Sequence, residues 1–168
     1  SFPTRRSSDL KFYATEWLAP CSTMAGDIEL NPNSQLWYGS VVRSTGTYIR
    51  IGSWTNIQDG AVVVDLPTKL SPMHDGSTIV GHRCSIGHGA LLRGCTIEDY
   101  CLVGMGAILC ENSSMGEGSA LGAKSVLMPG QHIPSGQLWA GNPAKYVREL
   151  SATELDTFKN MSFQYHAM

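Results

Sequence analysis

The sequence has no long apolar run, no excess of basic residues and no closely paired cysteines, and each absence removes a class of protein. No segment approaches the roughly 18 uninterrupted apolar residues of a membrane-spanning helix, so the chain is not expected to cross a bilayer itself. Across 168 residues the formal net charge is -2, with no long basic stretch. The electrostatic footprint of a nucleic-acid binder is therefore missing, and no DNA or RNA partner is expected. Five cysteines (Cys21, Cys84, Cys95, Cys101, Cys110) form an odd set without a C-x-x-C pair. They read as small buried hydrophobes in a reducing compartment rather than as a disulfide framework or a zinc knuckle.

What is present is a period. Between Val80 and Trp139 the aliphatic residues Val80, Ile86, Leu92, Ile97, Val103, Leu109, Met115, Leu121, Leu127 and Ile133 return every six residues, with one step of five. An amphipathic helix repeats at three and four residues and a half-buried strand at two, so neither explains the interval. Six residues make a short strand and a turn. Such a unit buries its one inward side chain only by stacking on its neighbours, which is the logic of a solenoid. The 18 glycines suit a backbone that turns sharply and often.

Residues 1–10 (SFPTRRSSDL) share no phase with the repeat and are expected outside the fold, as a tail or the remnant of an organelle-targeting peptide. The run KFYATEWLAP from Lys11 to Pro20 is apolar enough to cap the first open edge of the solenoid. The repeat is expected over residues 11–150, with Leu30, Leu36 and Val42 six apart and Ile51, Ile57 and Val63 resuming after a slightly longer step. Residues 65–78, with two prolines and no periodic apolar position, predict a loop ejected from one corner that contributes nothing to the core. After Trp139 the pattern ends. Ser151 and Glu154 form a capping-box signature, and Leu155, Phe158, Met161 and Phe163 or Tyr165 supply one face of a terminal helix over 152–165, within a C-terminal segment 151–168.

The segments WYGSVVR (37–43), NIQDG (56–60), VGHRCSIGHGALLRGCTIED (80–99), VGMGA (103–107) and IPSGQLWAGNPAKYVREL (133–150) resemble the gamma-class carbonic anhydrase family, over about residues 20–150. The resemblance implies an all-β solenoid, a left-handed parallel β-helix of hexapeptide repeats with three hexads per coil, closed by a C-terminal α-helix and assembled as a trimer. It also implies carbon dioxide hydration at a metal held between subunits by three histidines. Zinc needs neutral imidazoles and an open position for the water whose pKa it lowers.

Carried onto this sequence, the three ligand positions are Val64, His88 and Arg93. Val64 has no lone pair to donate, and a permanently protonated guanidinium at Arg93 repels a dication. No metal, cofactor or catalytic residue is therefore expected. His74 and His82 are the other candidate imidazoles, but His82 and His88 stand one hexad apart and should lie on different faces, and no histidine has an identifiable orienting carboxylate. Arg43, Gln58 and Asp59 match family positions at the subunit interface, although the acid expected two residues after Arg43 is Thr45. Gln58 and Asp59 also fit a structural role, in which corner side chains satisfy backbone groups of the next coil.

Loss of ligands with retention of interface positions implies a non-enzymatic, gamma-carbonic-anhydrase-like subunit of a trimer with like subunits. The nearest resemblance is to the carbonic-anhydrase-like subunits on the matrix side of the mitochondrial respiratory complex I membrane arm, peripheral to the inner membrane. The alternative is an active enzyme, either an anhydrase or a hexapeptide-repeat acyltransferase.

Overall fold

A computed structural model describes residues 16–167, with side chains through residue 161. Residues 1–15 lie outside it, and with them the expectations for the 1–10 tail and for most of the apolar run from Lys11. The described chain is a parallel β-solenoid of about 7 turns followed by one helix.

Three faces are wound in chain order. Face 1 stacks the strands Trp17–Leu18, Gln35–Leu36, Asn56–Ile57, Ser85–Ile86, Leu102–Val103, Ala120–Leu121 and Gln137–Ala140. Face 2 stacks Thr23–Ala25, Val41–Arg43, Val62–Val64, Leu91–Arg93, Ile108–Leu109 and Val126–Leu127. Face 3 stacks Ile28–Leu30, Ile49–Ile51, Thr78–Val80, Thr96–Ile97, Ser114–Met115 and His132–Ile133. All ten periodic aliphatics from Val80 to Ile133 point inward and are buried, as are Leu30, Leu36, Val42, Ile51, Ile57 and Val63. Each contributes about 1.5–3 kcal/mol relative to exposure, which only the stack of coils can supply.

The corners explain the small residues. Between faces 1 and 2 the chain turns at Gly39, Gly60, Gly89 and Gly106, whose φ values of 67, 67, 67 and 68° lie in the left-handed region that only glycine enters without strain. Between faces 3 and 1, Ser34, Thr55, Cys84, Cys101 and Ser119 occupy one buried column, so two cysteines are there for their size. The Cys84 thiol donates to the Glu98 carbonyl at 3.1 Å, and burial pushes its pKa well up. Burial likewise pushes Cys95 up to about 12. These thiols are inert packing groups.

Four sequence expectations change. The segment expected to cap the first open edge already winds a coil where it is described, because Leu18 and Met24 occupy inward positions packed against the core at the six-residue spacing. The ejected loop ends before residue 78, since Thr78 opens a face 3 strand and is fully buried, and Asp65, Leu66 and Ser77 are buried as well. Its base is thus part of the fold. Beyond Trp139, Lys145–Glu149 turns back antiparallel on Gln137–Ala140, closing the edge of face 1. Helix α1 spans Ala152–Ala167, two residues longer than expected, and the capping box forms: Ser151 N–H donates to Glu154 at 2.8 Å and Glu154 N–H to Ser151 Oγ at 3.2 Å.

The three faces differ outwardly. Helix α1 lies against face 1, where the outward Gln35, Asn56, Ser85 and Ala120 are buried. Face 3 carries the outward column Glu29, Arg50, Ile79, Thr96, Ser114 and His132, with an Arg50–Glu29 ion pair at 3.9 Å and a Ser114–His132 hydrogen bond at 2.7 Å. Face 2 is apolar. Its outward Val41, Val62, Leu91, Ile108 and Val126 stand in unbroken register over five coils.

Candidate functional site

The second outward column of face 2 contains the residues singled out by the sequence. Arg43 pairs in register with Val64, and Val64 with Arg93, so the three stand one above another on consecutive coils about 4.8 Å apart. Both arginines are exposed and Val64 is half-buried. His88 stands on the turn between faces 1 and 2 of the coil that carries Arg93, whereas His82 stands on the turn between faces 3 and 1, as the spacing predicted. The structure brings Val64 and Arg93 together on one face, with His88 on the adjoining corner.

The side chains at these positions do not fit a zinc ion. Val64 presents methyl groups and Arg93 a guanidinium, leaving the His88 imidazole alone. Cys110 follows the strand above Arg93 and is a second potential donor beside His88, absent from the sequence expectations. Burial and the neighbouring Glu111 raise its pKa against the pull of Arg93, which keeps it a thiol. Among the described residues, no group of three or more His, Cys, Asp or Glu side chains is arranged to hold a metal.

His88 does have a carboxylate, contrary to the sequence reading: Asp59 Oδ2 lies 4.0 Å from its Nδ1, with both side chains about half exposed. The two residues stand on consecutive coils, so their approach does not show in the spacing along the chain. Asp59 Oδ1 also accepts the Tyr38 backbone N–H at 3.1 Å, the structural role foreseen for a corner side chain. Gln58 does not face outward with it. Its side chain is buried and donates to Asn56 at 3.0 Å, which in turn donates to Ser85 at 3.1 Å, so it serves the chain's own interior.

His82 and His74 hold backbone. His82 Nδ1 accepts from Ser53 N–H at 2.8 Å, and His74 Nδ1 accepts from Gly76 N–H at 3.0 Å. A groove of about 340 Å³ lies away from the ligand positions, lined by Arg50, Ile79, His82, Glu98, Asp99 and Glu117 among others. Two of its acids bind backbone: Asp99 accepts His82 N–H and Glu98 accepts Glu117 N–H, tying coil to coil.

No protein-family profile matches the sequence. It is 36% identical over 143 residues to the mitochondrial gamma carbonic anhydrase 2 of Arabidopsis thaliana, covering 83% of this chain and 50% of that protein. A carbonic anhydrase of Geobacillus kaustophilus is 30% identical over 152 residues, covering 90% of this chain and 80% of that one. The chain belongs to the gamma carbonic anhydrase family. It spans about half the length of its mitochondrial Arabidopsis relatives. Among solved structures, a hexapeptide transferase family protein of Anaplasma phagocytophilum superposes with a TM-score of 0.86 at 35% identity, covering 94% of this chain and 89% of that one.

The apolar ladder is absent from the sequence expectations. The signal was available: in every third hexad, the residue just before the inward aliphatic is Val41, Val62, Leu91, Ile108 or Val126.

Proposed function

We propose that this chain is a non-catalytic subunit of a trimer of gamma-carbonic-anhydrase-like chains, docking through face 2 and contributing fold rather than chemistry. The observation that carries the reading is the in-register column Arg43, Val64, Arg93 set beside an outward apolar ladder. Ligand chemistry has been replaced, while a surface fit for burial persists. Outward branched aliphatics on five consecutive coils are costly in water and gain from a partner.

The assembly we propose is the mitochondrial one, with the trimer on the matrix side of the respiratory complex I membrane arm. Its support is the likeness to mitochondrial gamma carbonic anhydrases of Arabidopsis. No helix among the described residues is long and apolar enough to cross a membrane; in this proposal the partner chains hold the subunit to the arm. Affinity isolation of the tagged chain from its own organelle is the test. Co-purification of gamma-carbonic-anhydrase-like chains with membrane-arm subunits is expected; recovery as a monomer at micromolar concentration in the presence of those chains contradicts the proposal.

The Asp59–His88 pair favours a second reading, acyl transfer, in which His88 takes the proton of an acceptor hydroxyl or amine and Asp59 steadies the resulting imidazolium. Equilibrium dialysis separates the two readings: a structural subunit retains no acetyl-coenzyme A, whereas an acyltransferase does.

A further inference from the structure

We propose that Ser71, at the tip of the ejected loop, is a phosphorylation site for a proline-directed serine/threonine kinase, and that the added phosphate tightens the turn that presents it. The proposal stands apart from the reading of face 2 as a subunit interface.

Of the chain's eight prolines, Pro72 alone follows a serine or threonine. It stands on the loop that leaves the solenoid between faces 2 and 3, where residues 67–70, 72 and 73 are exposed, Met73 to 96%. A kinase cleft takes its substrate as an extended segment. Proline keeps the residue before it out of the helical region and brings no N–H that the cleft must satisfy. The acceptor must also be able to leave its own fold. Around Ser71 the closing contacts are a backbone bridge with His74, at 3.2 Å in each direction, and Leu70 N–H to the His74 carbonyl at 3.1 Å. The base of the loop is held separately, by Asp65 and by Leu66 N–H donating to the Gly76 carbonyl at 2.8 Å. Opening the tip therefore leaves the coils intact.

In the transfer, Ser71 Oγ forms the bond to the γ-phosphorus of ATP, the bond to ADP breaks, and the hydroxyl proton passes to the kinase's catalytic carboxylate. The product finds donors already in place. Ser71 Oγ accepts the backbone N–H of Met73 at 3.2 Å and of His74 at 3.1 Å, two successive amides converging on one oxygen as in an anion-binding nest. A phosphate sets three strong acceptor oxygens and about -1.5 to -2 charge at pH 7 beside those amides. Lys69 and His74 are the basic side chains of the loop, and Asp75 is the acid nearest the tip. Asp75 is engaged elsewhere, its Oδ1 accepting both the N–H and the hydroxyl of Ser77. Charge-assisted bonds thus replace neutral ones in a turn that the hydroxyl holds weakly.

Incubating the full folded chain with a proline-directed kinase and magnesium ATP, and locating the phosphate by peptide mass spectrometry, tests the site. About one phosphate per chain is expected, on Ser71. Ser71→Ala should take up none and Ser71→Thr should remain a substrate, whereas Pro72→Ala should be modified at least tenfold more slowly; far-UV circular dichroism verifies that each variant is folded. Hydrogen exchange of the Met73 and His74 amides, followed by NMR, should slow at least threefold on phosphorylation. No phosphate on the folded chain, phosphate on another hydroxyl with Ser71 untouched, or a folded Pro72→Ala chain modified as fast as wild type overturns the assignment of the site. Phosphate on Ser71 with unchanged or faster exchange of the two amides overturns the tightening of the turn.

Discussion

Replacing Asp65 by Asn should cost this protein about 2–4 kcal/mol, although the side chain touches no candidate site residue. Its carboxylate is buried at the base of the ejected loop and gathers the Ser44–Thr47 turn around it. Oδ1 accepts Thr45 N–H at 2.6 Å and the Thr45 hydroxyl at 2.9 Å. Oδ2 accepts the Ser44 hydroxyl at 2.7 Å, Thr47 N–H at 2.8 Å, the Thr47 hydroxyl at 3.0 Å and Gly46 N–H at 3.4 Å.

An asparagine amide keeps one acceptor oxygen and turns the other position into a donor, so at least one buried backbone N–H must face an N–H. That unsatisfied donor costs about 1–3 kcal/mol, and the surviving bonds lose charge assistance worth roughly 1 kcal/mol more. Burial alone pushes the Asp65 pKa up, but the Thr45 and Thr47 amides and the Ser44 and Thr45 hydroxyls outweigh it and hold the group below its ordinary 3.8. The unfolded chain therefore takes up this proton first as pH falls. The stabilisation is complete above the ordinary value and lost as pH drops through the depressed one. Urea unfolding of Asp65→Asn should show the deficit at neutral pH and lack this acid-sensitive component, and trypsin should cut after Lys69 faster than in the wild type. A loss below about 0.5 kcal/mol, with unchanged cleavage at Lys69, refutes the reasoning.

Leu109→Ala removes a fully buried side chain from the middle of the stack and should cost about 2–5 kcal/mol in urea unfolding, because rigid neighbouring coils cannot close the cavity. Ser151→Ala should cost about 0.5–2 kcal/mol and reduce the far-UV helical signal, since the first turn of α1 loses its cap. Glu154, held down to about 2 by the Arg148 guanidinium and the Ser151 N–H, should keep α1 anchored above the ordinary carboxylate range. That contribution is present above pH 4.5 and fades as pH falls toward about 2, a loss visible in acid titration by circular dichroism.

The coil was legible because each inward aliphatic is separated from the next by a fixed number of bonds, and a solenoid translates that spacing directly into a column. Leu18 and Met24 kept the spacing yet escaped notice, since neither sits among the glycine turns that announce later coils. Asp65 was illegible for a different reason. Its six partners come from the turn one coil earlier, and nothing local distinguishes a buried clamp from a solvated loop acid. The Asp59–His88 approach likewise crosses coils. At the ligand positions the chemistry was readable from residue type alone, because a valine and an arginine cannot ligate zinc in any conformation. The register of Arg43, Val64 and Arg93 needed the structure, as did the polarity of each face, since outward positions become meaningful only once α1 is seen to cover face 1.

The central claim is that this chain carries the family scaffold without the family metal centre, and elemental analysis of the homogeneous protein tests it most directly. The unmodified chain should contain no stoichiometric zinc and hydrate no carbon dioxide. Val64→His with Arg93→His should bind about one zinc per subunit, because it restores the two missing imidazoles and removes the guanidinium that repels the dication. About one zinc per unmodified subunit, lost when His88 is changed to Ala, would contradict the account and show that the ligands come from elsewhere.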